Sequence, residues 1–312
     1  MLGVIVWAPS AVLFGQKGDE DLKIETRLVS VEISVTESDG KPVTGLRPED
    51  IRLFVNGSPT DVAFFQPVVK EANSRPISIV FALDMSGSVT SAELELLTAA
   101  MRRFVDQLSR YDAHFALVTF GMDVKTVQSF TARRDKIEKA FRKLAREDDG
   151  LSTHAYDAID SAVRLLVRKS PKVIKGKFPR RAIIVITDGF PVGDTVSPAT
   201  AAERANQAET SVFGVILPSF SRLQGKKKPL PTLLEASGLI EKTGGRSFYA
   251  NELNFERLFD QLATEIVSSY VVAYYPDDSA TQEIRVEAPN GLRVTQSRKT
   301  VNRTTDPKPD DQ

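Results

Sequence analysis

The 312-residue chain contains no cysteine. This excludes disulfides, thiolate zinc sites, cysteine nucleophiles and cysteine lipidation together. It leaves the compartment open, since a chain of this length can be held by its core alone. Histidine is nearly as scarce, with two residues, so a Ser-His-Asp hydrolase has little to draw on. His114 falls within an apolar strand pattern and reads as a core residue. His154 follows a threonine at a helix start and is a candidate partner contact rather than a general base. An excess of charge is also absent: 41 basic residues balance 41 acidic ones, and no overall field draws the chain to nucleic acid or an anionic membrane. Two basic runs, "RKSPKVIKGKFPRR" at 168–181 and "RLQGKKKP" at 222–229, lack the aromatic interleaving of a base-stacking surface. They read as solvated loops, and no nucleic-acid partner is expected. A phosphate-cradling G-x-x-x-x-G-K-[ST] is missing as well.

Long apolar runs are confined to the beginning. Leu2 to Phe14 is apolar and then turns polar, as a signal-peptide core does. At about a dozen residues it is too short to span a bilayer, which takes roughly 20. Residues 1–20 are therefore read as a signal peptide, although the positive n-region is missing and "SAVLFG" is a poor cleavage site. A secreted or periplasmic protein without a transmembrane segment is the expectation, and a buried first strand is the competing one.

What is present falls into three parts. Over 24–70, Val29, Val31, Ile33 and Val35 alternate with more polar neighbours, as do Ile51, Leu53 and Val55. Asn56-Gly57 then marks a hairpin before "DVAFF". Residues 271–301 repeat this grammar, opening within the strand-like "YVVAYYP" of 270–276 and with Asn290-Gly291 between two alternating runs. These ends predict a small accessory β module whose core takes Phe54, Phe64, Phe65, Tyr274 and Tyr275. The polar 302–312 tail reads as disordered.

Between them, over 76–270, the apolar strands "SIVFAL", "HFALVTF", "AIIVIT", "SVFGVIL" and "RSFYA" alternate with amphipathic stretches. Leu94, Leu97, Met101, Phe104 and Leu108 recur at helical spacing, and Thr90 with Glu93 reads as a capping box. Further helices are predicted near 134–145, 155–169, 198–209, 231–243 and 255–268. Such alternation means a doubly wound α/β domain with a mostly parallel sheet. A Rossmann-like order, 3-2-1-4-5-6, would set the strands ending in Asp84 and Asp188 side by side, with 124–130 as an antiparallel edge.

The chemistry gathers at those strand ends. "ISIVFALDMSGSVT" at 77–90 and "RAIIVITDGF" at 181–190 each run from a buried strand into an aspartate. In an open α/β sheet, ligands bind beyond the carboxyl ends of the strands, so Asp84 and Asp188 would converge there and repel. A divalent cation resolves the repulsion. Ser86 and Ser88, alternating after Asp84, add hydroxyl oxygens. "DDGLSTHAYDAI" at 148–159 presents Thr153 just before a helix.

"DMSGS", Thr153 in "GLSTHAYDA" and "TDG" resemble, in order and spacing, the three loops of the metal-ion-dependent adhesion site of von Willebrand factor type A domains, over roughly residues 76–270. The whole chain is similar to bacterial secreted proteins with a VWFA-related domain, in which "DGKPVTGLRPEDIRLFVNG" precedes the metal domain and "YYP" follows it. The resemblance implies that Ser86, Ser88 and Thr153 are hydroxyl ligands and that Asp84 and Asp188 bind directly or through water. Val89 and Leu151-Ser152 are slight departures from the family pattern. Such an oxygen set suits Mg²⁺ or Mn²⁺ better than Ca²⁺, which prefers more oxygens, and zinc would want nitrogen or sulfur. The implied function is adhesion, in which the metal accepts a glutamate or aspartate from a partner protein. Lys226, Lys227 and Lys228 follow "SVFGVIL" at the same edge and are candidates for steering that acidic partner. A Mg²⁺-dependent hydrolase is one alternative, opposed by Ser86 standing where haloacid-dehalogenase-type phosphatases carry an acid. A metal-free scaffold, with Asp84 and Asp188 as helix caps, is the other.

Overall fold

The computed structural model describes residues 28–66, 74–86, 91–144, 152–217, 231–250, 255–277, 279, 281–289 and 291–302. The alternating N-terminal runs form β1 (Val29–Thr36), β2 (Arg52–Val55), β3 (Ser58–Thr60) and β4 (Phe64–Gln66). Asn56 and Gly57 carry the hairpin between β2 and β3, both with positive φ, at 51° and 79°, as a two-residue turn of this kind requires.

The middle of the chain gives five parallel strands and one antiparallel strand: β5 (Ile77–Asp84), β6 (Ala113–Phe120), β7 (Val124–Thr131), β8 (Arg180–Thr187), β9 (Thr210–Ile216) and β10 (Ser247–Tyr249). Their order across the sheet is β10-β9-β8-β5-β6-β7, with β7 antiparallel at one edge. This is the doubly wound arrangement expected from the sequence, and β5 and β8 are neighbours, in register from Ile77↔Arg180 to Leu83↔Ile186. Every residue of β5 is buried, because helices cover both faces.

Between the strands run α1 (Ser91–Leu108), α2 (Arg134–Arg142), α3 (Ala155–Lys169), α4 (Pro198–Gln207), α5 (Leu233–Ala236), α6 (Leu239–Lys242) and α7 (Phe255–Val267). α1 buries Leu97, Met101, Phe104 and Leu108 on the face its spacing predicts, beside Phe81, Phe141 and Phe259. The single helix expected over 231–243 is instead two short ones, because Gly238 adopts φ 70° between them and a left-handed residue ends an α-helix. Residues 87–90 lie outside the described residues, and with them Thr90 and its expected capping box.

The chain ends build two further four-stranded sheets, with β11 (Ser269–Tyr274), β12 (Thr281–Glu287), β13 (Arg293–Gln296) and β14 (Thr300–Asn302). Their orders are β13-β1-β11-β4 and β14-β12-β2-β3. The runs flanking Asn290-Gly291 thus part into different sheets: β12 pairs with β2 and β14, β13 with β1. Val31, Ile33, Leu53, Val55, Tyr270, Tyr274 and Ile284 fill the space between them. Two aromatics assigned to this core from sequence are on the surface, Phe64 at 48% exposure and Tyr275 at 58%. Tyr270 supplies the bulk instead, fully buried, stacked on Phe65 and donating its hydroxyl proton to Val43 O at 2.8 Å.

One residue joins the sheets. Arg180, at the start of β8, is buried, although it belongs to a run that reads as solvated. Its guanidinium pairs with Glu32 of β1 and donates to the backbone oxygens of Glu265 and Ile266 at the end of α7. Glu32 also accepts from Ser269 Oγ at 2.6 Å and lies 3.6 Å from Arg75. A cation at a helix C-terminus meets the negative end of the dipole. Here it meets a carboxylate as well.

Candidate metal centre

Asp84 ends β5 and is completely buried. Its Oδ1 accepts the Ser86 N–H at 2.9 Å, and its Oδ2 accepts the Thr187 hydroxyl at 2.6 Å. Burial pushes this carboxyl above its ordinary range, and the nearby Asp188 charge pushes the same way, while hydrogen bonds from Ser86 and Thr187 oppose them. Among the described residues, no lysine or arginine forms an ion pair with Asp84 or Asp188. Two neighbouring acids with no basic ion-pair partner among the described residues are compatible with a cation.

Asp188 follows β8 directly and is half-buried, its Oδ1 accepting Phe190 N–H at 3.2 Å. The turn it opens is closed from outside. Gly189 has φ 85°, and a Cβ built there would lie 2.4 Å from the Thr232 side chain, at the cap of α5. Glycine is therefore demanded twice over at this position of "TDG".

Thr153 reaches the same end of the sheet through its backbone. It exchanges two hydrogen bonds with Val192, of 3.0 and 2.9 Å, and so lies beside the loop that begins with Asp188. On its other flank His154 N–H donates to Gly121 O at 3.2 Å, and Gly121 borders Ser86, whose nitrogen would lie 3.8 Å from a Cβ added to that glycine. The loops after β5, β6 and β8 and the start of α3 thus adjoin one another. They carry Asp84, Ser86, Thr153 and Asp188, whose side chains offer only oxygen. Ser88 and the lysines 226–228 lie outside the described residues.

His154 is largely enclosed. Its Nδ1 lies 3.1 Å from Asp157 Oδ2, and Gly193 sits against Nε2, where an added Cβ would approach to 3.1 Å. Asp157 and Asp194, which the sequence reading passed over, complete a cluster with His154 whose ligand atoms lie within 4.8 Å of one another. Burial opposes ionisation of Asp157, but hydrogen bonds from Thr195, His154 and Val196 hold it below the usual carboxylate range. Burial raises Asp194. Thr187 was also passed over as a contributor. A hydroxyl residue one position before a strand-end aspartate was the available signal.

The family model for the von Willebrand factor type A domain matches residues 78–261. Mouse matrilin-3 is 30% identical over 183 residues, which cover 55% of this chain and 37% of that protein. Pig inter-alpha-trypsin inhibitor heavy chain H4 is 26% identical over 147 residues, 47% of this chain and 16% of that protein. The chain therefore spans well under two thirds of these relatives. Among solved structures, an aerotolerance-related membrane protein from Bacteroides fragilis matches at 19% identity and a TM-score of 0.47, over 61% of this chain and 98% of that one. Proximal thread matrix protein 1 from the mussel byssus, with a zinc-occupied MIDAS motif, matches at 17% identity and a TM-score of 0.48, over 65% and 48%.

Proposed function

The chain belongs to the von Willebrand factor type A domain family, and from that membership we propose that it is a divalent-cation-dependent protein-binding module. Asp84, Ser86, Ser88, Thr153 and Asp188 hold Mg²⁺ or Mn²⁺ in this reading. The observation that carries it is the pairing of β5 with β8, which brings a fully buried Asp84 into the electrostatic reach of Asp188 with no basic ion-pair partner for either among the described residues. Oxygen donors alone favour a hard cation over zinc.

Bound there, the ion would supply an exchangeable coordination position for a carboxylate of the partner. The protein's own part is to hold the oxygens in place before the ion arrives. Thr187 and the Ser86 amide fix the Asp84 carboxylate, and the Val192 bridge fixes the backbone of Thr153. The partner is a protein presenting glutamate or aspartate, and lysines 226–228 steer it. An exported protein, secreted or periplasmic, belongs to the same reading. No helix among the described residues is long and apolar enough to cross a membrane.

The test is titration of the metal-free protein with Mg²⁺ by calorimetry, alongside thermal denaturation in EDTA and in millimolar Mg²⁺. Binding to the folded state alone must raise the melting temperature. Wild type should bind and be stabilised, and Asp84→Ala should do neither. Equal behaviour of the two proteins removes the reading and leaves the metal-free scaffold. Capture of partners with and without EDTA then separates adhesion from hydrolysis, since a hydrolase need not retain a protein.

A further inference from the structure

Thr153 sits on a connection rather than in a strand, so something other than the sheet must hold it. The first turn of α3 supplies that support in an unusual way. His154, its N-cap, makes no side-chain cap. A free N–H of the helix's first turn is met by another loop: Asp194 accepts Asp157 N–H at 2.8 Å.

The favour is returned. Asp157, in the first turn of α3, accepts Thr195 Oγ1 at 2.9 Å and Val196 N–H at 2.8 Å on Oδ1, and Thr195 N–H at 3.1 Å on Oδ2. Each aspartate satisfies the backbone of the other's loop. One of these loops carries Thr153 and the other begins with Asp188. The Thr153–Val192 bridge joins the same two loops, and His154 packs its ring between Asp157 and Gly193. Each oxygen of Asp157 has at least two partners, Thr195 Oγ1 and Val196 N–H on Oδ1 and Thr195 N–H and His154 Nδ1 on Oδ2, so the cluster ties the two loops together as a brace.

We propose that Asp157, in exchange with Asp194, is a positioning residue for the metal centre: it fixes the loop of Thr153 against the loop of Asp188 without touching the ion. This inference rests on the metal reading above. A partner of a metal ligand typically changes affinity by about 10- to 100-fold when removed.

The experiment has one arm without metal and one with it. In EDTA, amide hydrogen exchange is compared between wild type, Asp157→Ala and Asp157→Asn; Asn keeps one acceptor oxygen and loses the charge. The Thr153 and Val192 amides should exchange at least about 10-fold faster in the Ala variant, and Ile184 in β8 should not change. In calorimetry, Mg²⁺ affinity should fall about 10-fold or more for Ala and less for Asn. Unchanged exchange at Thr153 and Val192 overturns the brace. Faster exchange with wild-type affinity overturns its role in metal binding. Equal losses for Ala and Asn assign the effect to charge and overturn positioning. If Ala fails to fold, Asn carries both arms, and an Asn variant with wild-type exchange and affinity overturns the proposal. A wild type that binds no Mg²⁺ defeats the metal reading and the positioning role with it, a failure told apart from loss of the brace by the arm measured in EDTA.

Discussion

Thr187 Oγ1 donates a 2.6 Å hydrogen bond to Asp84 Oδ2, across the junction between two adjacent parallel strands. The same oxygen accepts Gly189 N–H at 3.1 Å. One hydroxyl thereby orients a buried carboxylate and pins the turn that presents the second acid. Thr187→Val keeps the shape and leaves both groups unsatisfied, which costs about 1–3 kcal/mol for a buried polar atom. Urea denaturation should show that loss, Mg²⁺ affinity should drop with it, and Thr187→Ser should restore most of both. A Val variant as stable as wild type would mean that the hydrogen bond contributes nothing.

Gly189→Ala tests the closed turn. The added methyl meets Thr232 at 2.4 Å in a backbone of φ 85°. Left-handed strain alone costs roughly 1–2 kcal/mol, and the overlap adds to it, so a total of about 3 kcal/mol or more is expected by denaturation. Gly57→Ala has φ 79° and nothing within 4 Å of the new Cβ; it should cost only the strain.

Glu32→Ala tests the join between the sheets. It strands the buried Arg180 guanidinium, and breaking one side of such a pair costs about 3–5 kcal/mol. Replacing both partners with apolar residues, Glu32→Leu with Arg180→Met, should recover much of the loss in chemical denaturation. An additive double variant would show that the two side chains act separately.

Alkaline unfolding tests the second core. Burial pushes the Tyr274 phenol up to about 12, with Asp277 adding to it and Arg298 opposing, against about 10 for a solvated tyrosine. Between these values the unfolded chain has lost the proton and the folded one keeps it. Stability should therefore fall as pH rises from about 10 to about 12. Tyr274→Phe removes this contribution to the slope and also the 2.6 Å bond to Gln282. It should be less stable at pH 8 and should lose less on going to pH 11, as followed by circular dichroism in denaturant. A parallel slope in both proteins would assign the alkaline transition to other groups.

The central domain was legible because its signals are local. An apolar run such as "SIVFAL" needs cover on both faces wherever it lies, and Leu97, Met101 and Phe104 mark a helix face without reference to other segments. The two strand-end aspartates could be read in the same way. The support around them could not. Asp157 and Asp194 meet from different loops, and nothing in either stretch announces the other. Arg180 looked solvated because its neighbours in sequence are basic, while its partner Glu32 stands on the first strand. Phe64 and Tyr275 were assigned to a core by composition, but face is set by register against β11 and by where that strand ends. Gly238 divides a stretch whose apolar spacing alone reads as one helix.

The register of β1 against β11, Ile33 facing Tyr270, has a consequence for how the molecule is made. β1 cannot pair with β11 until every strand of the six-stranded sheet that lies between them in sequence has been synthesised. The six-stranded sheet between them is complete by Tyr249. Long-separated pairings close late and slowly. During translation the edges of β1 that later meet β11 and β13 must therefore wait for them.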